Sequence, residues 1–178
     1  MTTKTVASEV TNDQLVSELW ARDVRFILGK KPDHPPTLPP FDLIVALAEN
    51  PETRLQLSLI PLFLCHPEFS QYAVEVSIIL DPATRLLLEC FYTAAVWIER
   101  KYLSQNNLPD LFSAKLGLSP GDDPAINLSA LSIRQKELSG SSINWLATYQ
   151  HAADVWYKDL DPHVEQVYRL VLQQRTKV

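Results

Sequence analysis

Apolar residues recur along this chain mostly at spacings of three and four, the signature of helices with one buried face. The most apolar stretch runs from Asp81 to Leu103 and reads as one long helix, capped by Asp81, with Pro82 at the first helical position, where a missing N–H costs nothing. Its polar residues Arg85, Glu89, Thr93 and Arg100 form a thin stripe on an otherwise apolar cylinder. Such a helix belongs inside a bundle. The fold class is therefore all-α: an irregular multi-helix bundle around a long central helix, about 81–105, with proline-started helices ahead of it.

The other elements follow from punctuation. A first helix spans Asn12 to Leu28, with Asn12 as cap, Gly29 as terminator, and Val16, Leu19, Trp20, Val24 and Ile27 as its apolar face. Residues 30–40 carry five prolines and form an extended tether; the Pro-x-x-Pro steps Pro32 to Pro35 and Pro36 to Pro39 are weak docking motifs. This divides the chain into an N-terminal helix (1–29), a linker (30–40) and a helical domain (41–178). A helix covers Phe41 to Glu49, and Asn50-Pro51-Glu52, His66-Pro67-Glu68 and Asp81-Pro82 each start another. Leu55 to Leu59 and Val74 to Ile78 alternate at the strand period, but each follows a helix start with no turn between, so both are assigned to helix. Leu108 to Phe112 begins a short helix ending at Gly117, and Ser119 to Pro124 is loop. Further helices run from Leu128 to Leu138 and from Ser142 to Lys158. A last one starts at Asp161-Pro162 and carries Val164, Val167, Leu170 and Val171 inward.

Composition narrows the function classes. The chain has 178 residues, 46% of them hydrophobic and 21% charged, enough for one continuous core. A net charge of −5 argues against general nucleic-acid or anionic-membrane binding. Arg22, Arg25, Lys30 and Lys31 are the local basic exception, and a nucleic-acid-binding regulator is a lesser alternative on their account. No apolar run reaches the ~20 residues that cross a bilayer, and the start has no apolar core of signal-peptide length, so a cytoplasmic location is expected. Cys65 and Cys90 read as buried thiols. The four glycines, Gly29, Gly117, Gly121 and Gly140, lie too far apart for a phosphate loop, so no nucleotide cofactor is expected. His34, His66, His151 and His163 show no metal-ligand spacing, and Asp122 and Asp123 beside Gly121 lack the pattern of a calcium loop.

Three constellations can carry function. Trp145, Tyr149, Ala152 and Trp156 share one helical face, either core or a partner hot spot. His151 and Asp154 lie one turn apart on the same helix near Tyr149, as an acid–base pair requires. Arg85 and Glu89 are either a solvent-facing seam or a buried pair serving a ligand.

Several runs carry a family resemblance: Asn50-Pro51-Glu52 with Arg54-Leu55, Ile60-Pro61-Leu62, His66-Pro67-Glu68, Tyr92 to Val96, Leu108 to Phe112, and Asn144 to Ala152. Across roughly residues 41–160 they resemble a family of small uncharacterised bacterial helical proteins encoded beside minimal nucleotidyltransferases. The resemblance implies an accessory or antitoxin-like partner of a nucleotidyltransferase. The chain departs from the helical ribonuclease partners of such enzymes, having no Arg followed closely by His in their active-site pattern. The leading expectation is thus a non-enzymatic interaction module using Leu108, Asp110, Phe112, Asn144, Trp145, Tyr149, His151 and Trp156, with self-association left open. The alternative is a small helical enzyme whose acid–base pair sits on the 142–158 helix.

Overall fold

The computed structural model describes residues 9–160 and 173–174; the expected helix from Asp161, with His163, lies outside them. The regular elements among the described residues are all helical: α1 (Asn12–Ala21), α2 (Pro40–Glu49), α3 (Thr53–Leu57), α4 (Leu59–Cys65), a 3-10 turn (Pro67–Phe69), α5 (Ser70–Ile79), α6 (Pro82–Leu103), α7 (Pro124–Ser139) and α8 (Trp145–Lys158). Both segments with the strand period are helical. The described residues include no helix long and apolar enough to cross a membrane.

α6 is the central post. Asp81 Oδ1 accepts from the Thr84 N–H at 3.0 Å, and Pro82 occupies the first turn. The helix touches α2, α4, α5, α7 and α8. From Leu88 to Glu99 every residue is buried. Leu15, Leu19, Val24 and Ile27 belong to the same hydrophobic cluster as α6, so the N-terminal helix shares the core of the body.

α1 departs from its expected bounds at both ends. Its cap is Thr11, not Asn12: Gln14 N–H donates to Thr11 Oγ1 at 3.2 Å and Thr11 N–H to Gln14 Oε1 at 2.9 Å, a reciprocal capping box. Asn12 is freed to donate to Glu52 and accept from Asn50, tying α1 to the α2–α3 corner. The helix ends at Ala21, well before Leu28, because Asp23 turns left-handed (φ 60°). Val24 N–H then reaches back to Leu19 O at 2.9 Å and both side chains enter the core. Gly29 terminates nothing. Trp20 Nε1 donates to Ile27 O at 2.8 Å, and a Cβ on Gly29 would fall 2.6 Å from that nitrogen. Gly29→Ala is expected to cost about 1–3 kcal/mol through this overpacking, read as a lower midpoint in urea unfolding with an unchanged slope.

The linker is held by a buried ion pair. Glu18 and Arg22, both at least nine-tenths buried, bond at 2.6 Å one turn apart. The Glu18 carboxylate also accepts from the Thr37 N–H (3.0 Å), the Thr37 hydroxyl and the Leu38 N–H (3.2 Å), while the Arg22 guanidinium donates to Leu38 O. His66 adds a second fastening, its Nε2 2.7 Å from Arg22 O.

The Asn50-Pro51 start is also displaced. Asn50 Oδ1 takes the Glu52 N–H at 2.8 Å, so α3 begins only at Thr53. It breaks at Ser58 because Pro61 has no N–H to offer Leu57 O and is tolerated only in the first turn of the next helix.

Leu108 to Gly117 forms no helix, only a turn over 113–117 closed by left-handed Gly117 (φ 77°). The reason is tertiary: α6 side chains seize the backbone first. Glu99 Oε1 accepts from the Leu108 N–H at 3.0 Å, and Tyr92 OH donates to Pro109 O at 2.7 Å. From α7, Arg134 Nε donates to Leu116 O at 2.7 Å. The whole non-helical connection, residues 104–123, is thereby fastened to helices on both sides. α7 begins earlier than its expected Leu128, at Pro124 behind the Asp123 cap, and left-handed Gly140 closes it. α8 begins at Trp145, with Asn144 Oδ1 accepting from the Ala147 N–H at 3.0 Å.

Candidate functional site

The aromatic stripe of α8 is core. Trp145, Tyr149 and Trp156 are all buried, and Ala152 is fully enclosed. Phe91 of α6 meets Trp145 edge-on at 6.1 Å and Tyr149 at 6.4 Å, while Tyr102 meets Trp156 at 6.2 Å. Leu108 and Phe112 are buried too, Phe112 against Tyr92 at 5.4 Å. Of the expected interaction surface only Asp110, Asn144 and His151 are exposed, and the first two are occupied with local capping.

Tyr149, His151 and Asp154 do not converge. Tyr149 points inward and donates to Gln135 Oε1, and burial keeps its phenol well above the ordinary range. His151 is exposed, its ring edge-on to Phe26 at 6.0 Å. Asp154, also exposed, accepts from Gln150 Nε2 at 2.9 Å and from Tyr102 OH at 3.3 Å. A helix places residues two apart on different faces, which separates Tyr149 from His151; Asp154, one turn from His151, is instead taken by Gln150 and Tyr102.

The polar stripe of α6 is neither a solvent-facing seam nor an Arg85–Glu89 pair. Arg85 caps α5, its Nε donating to Ser77 O at 2.6 Å and its Nη2 to Ile78 O (3.0 Å) and Leu80 O (2.9 Å). Glu89 is buried and paired with Lys115; Thr93, fully buried, donates to Glu89 O at 2.6 Å. Arg100 lies over the Trp97 ring at 4.5 Å. Arg85, Glu89 and Thr93 thus satisfy backbone and charge within the fold, while the Arg100 Nε is buried without an acceptor.

Three of the four residues of the basic cluster, Arg22, Arg25 and Lys31, are paired internally, while Lys30 is exposed. Arg22 is in the buried pair, and Asp23 holds Lys31 at 2.9 Å and Arg25 at 3.6 Å. Among the described residues no group of three or more His, Cys, Asp or Glu could hold a metal. Cys90 is buried as expected, but Cys65 is exposed by area. Its thiol nonetheless sits where desolvation, with Asp159 and Asp23 nearby, pushes it up to about 12, which makes it a poor nucleophile. Cys65 and His66 border a depression of about 410 Å³, in which His66 is already engaged by Arg22 O and by Glu68.

Two features remain that local sequence reading missed. The first is the outer face of α7. Leu128 and Leu131 face the core, while Ile126 and Ile133 stand 65% and 58% exposed, with exposed Ala130 between them at helical spacing. The isoleucines at i and i+7 were the available signal. The second is an apolar cleft of about 300 Å³ where α3, α6 and the start of α8 meet, lined by Thr53, Arg54, Gln56, Leu57, Leu87, Phe91, Ile143, Trp145 and Thr148. Four separate segments contribute, so no local pattern announces it. Trp145 contributes to its wall, but its Nε1 lies buried out of reach of the cleft and without an acceptor, a state that costs about 1–3 kcal/mol.

No protein-family model, curated protein or solved structure matches the chain.

Proposed function

We propose that this chain is a cytoplasmic, non-enzymatic protein-interaction module that binds its partner through the outer face of α7. The observation that carries the reading is that α7 is apolar on two opposite faces, one already consumed by the core. A globular helix needs only one such face. Ile126, Ala130 and Ile133 offer a seam to an amphipathic helix of a partner, flanked by Asp122 at one end and by Lys136 and Glu137 at the other. The failure of Tyr149, His151 and Asp154 to converge weighs on the same side, as does the internal pairing of Arg22, Arg25 and Lys31. The partner suggested by the family resemblance is a minimal nucleotidyltransferase.

The test is co-expression of the full chain with a minimal nucleotidyltransferase of the kind encoded beside the resembled family, reading the complex by light scattering and by crosslinks from Lys136. A complex of summed mass is expected. The double variant Ile126→Glu/Ile133→Glu should weaken it at least about a hundredfold, as hot-spot losses do, while its unfolding free energy stays within about 0.5 kcal/mol of the parent because both sites are exposed. Absence of a complex, or equal binding by the double variant, refutes the reading.

A further inference from the structure

We infer that His66 is a proton-sensitive latch that fastens the end of α1 to the corner between α4 and α5. This inference does not depend on the α7 seam. It starts from a count of hydrogens. His66 Nε2 lies 2.7 Å from Arg22 O, and Nδ1 lies 2.9 Å from Glu68 Oε1. A backbone carbonyl and a carboxylate can only accept, so both contacts are hydrogen bonds only when both ring nitrogens carry a proton. A neutral ring has one N–H to give, and its other nitrogen then turns a lone pair toward an oxygen. The backbone keeps the ring in place: His66 N–H donates to Leu62 O and His66 O accepts from Phe69 N–H, each at 2.9 Å. Phe69 stacks on the imidazole, the centroids 4.9 Å apart and the planes 16° from parallel, a face that favours a cation.

The other charged groups around the ring lean the same way. Asp23, just past the end of α1, and Asp159, at the end of α8, line the same depression as His66. Asp23 is shared with Lys31 at 2.9 Å and Arg25 at 3.6 Å, and the Arg22 guanidinium is matched by Glu18 at 2.6 Å, so neither leaves a bare positive charge against the ring. The neighbouring Cys65 thiol, pushed up to about 12 by its burial, stays uncharged, and the rest of the lining, from α4, α6 and α8, is apolar. The bond to Arg22 O falls where the chain reverses: Arg22 caps α1, Asp23 turns left-handed and Val24 folds back on Leu19. Closure of the latch uses the second ring proton and the open form does not. By linkage, closure therefore weakens as the pH rises through the range in which histidine loses its charge, about pH 5 to 8.

The test is amide hydrogen exchange of the full chain between about pH 5.5 and 8, each rate divided by that of an unprotected amide at the same pH. Protection of the Arg22, Asp23 and Val24 amides, which donate to Leu19 O and Trp20 O, should fall about three- to tenfold across this range, the worth of one partly exposed charge-assisted bond. In His66→Gln, which offers Arg22 O an N–H that does not titrate, the fall should shrink to less than about twofold. Glu68→Gln, at an exposed site, should flatten it as well, because the new amide can either accept from Nδ1 or donate to it and so suits both forms of the ring. Protection that stays level in the parent would overturn the inference, as would a fall that persists undiminished in either variant.

Discussion

Tyr92→Ala is expected to lower the unfolding free energy by about 3–5 kcal/mol, the cost of emptying a large aromatic site in a core that cannot collapse around it. Tyr92 is fully buried at the centre of α6, edge-on to Phe63 at 4.9 Å and to Phe112 at 5.4 Å. It therefore joins α4, α6 and the 104–123 connection in one contact. Tyr92→Phe keeps the rings and removes the hydroxyl, with its bond to Pro109 O and its interaction with Ser70, so it should cost about 0.5–1.5 kcal/mol. Urea unfolding followed by circular dichroism separates the two. A loss below about 1.5 kcal/mol for the alanine variant would mean that the three elements do not depend on this ring.

The second large effect belongs to Glu18. Glu18→Ala should cost about 3–5 kcal/mol, because Arg22 would be left buried without its counter-charge. The loss should be smaller in Glu18→Leu/Arg22→Met, which removes both charges and keeps apolar volume. Acidity provides an independent check. Burial pushes the Glu18 carboxyl upward, but the donors from Thr37, Arg22 and Leu38 outweigh it and hold the group below the usual carboxylate range. A carboxyl lowered on folding stabilises fully above its unfolded value of about 4.3 and loses that contribution as the pH falls through its lower folded value. The stability gap between the parent and Glu18→Gln should accordingly be widest near neutrality and narrow as the pH drops below about 4. A gap that widens on acidification contradicts the assignment.

Where a chain's local chemistry also decides its tertiary role, the sequence was readable. Asp81-Pro82 marks the start of α6 because cap and first-turn proline are local devices, and the apolar circumference that follows has no place but a bundle interior. Gly140 closing α7 is another case. The strand-period runs around Leu57 and Val76 were legible only through their neighbours, since alternation over five residues is too short to outweigh a helix start. Reading failed where distant groups decide. Nothing near Leu108 says that Glu99 will take its N–H, and nothing near Asp23 says that Val24 must fold back on Leu19. Asn12 looks like a cap until Asn50 and Glu52 claim it.

The candidate surfaces divide in the same way. The Ile126 and Ile133 register is written in one helix and was open to inspection. The cleft is assembled from one or two residues each of α3, α6, the 140–144 connection and α8, so it exists only once the core has formed. Trp145 shows how close local chemistry comes: its helical spacing marks its face, core and partner surface are both open to it, and its missing acceptor is a property of the folded core alone.

The connection between α6 and α7 has a further consequence. A stretch without helix is ordinarily the part of a protein that opens first and most cheaply. Here, residues 108 and 109 hang from Glu99 and Tyr92, residue 115 reaches Glu89, and residue 116 is held from α7. Releasing this strap requires breaking contacts that belong to the interior of α6. In kinetic terms, the strap and the central helix are one cooperative unit, and the segment that looks most like a loop opens only when the post itself gives way.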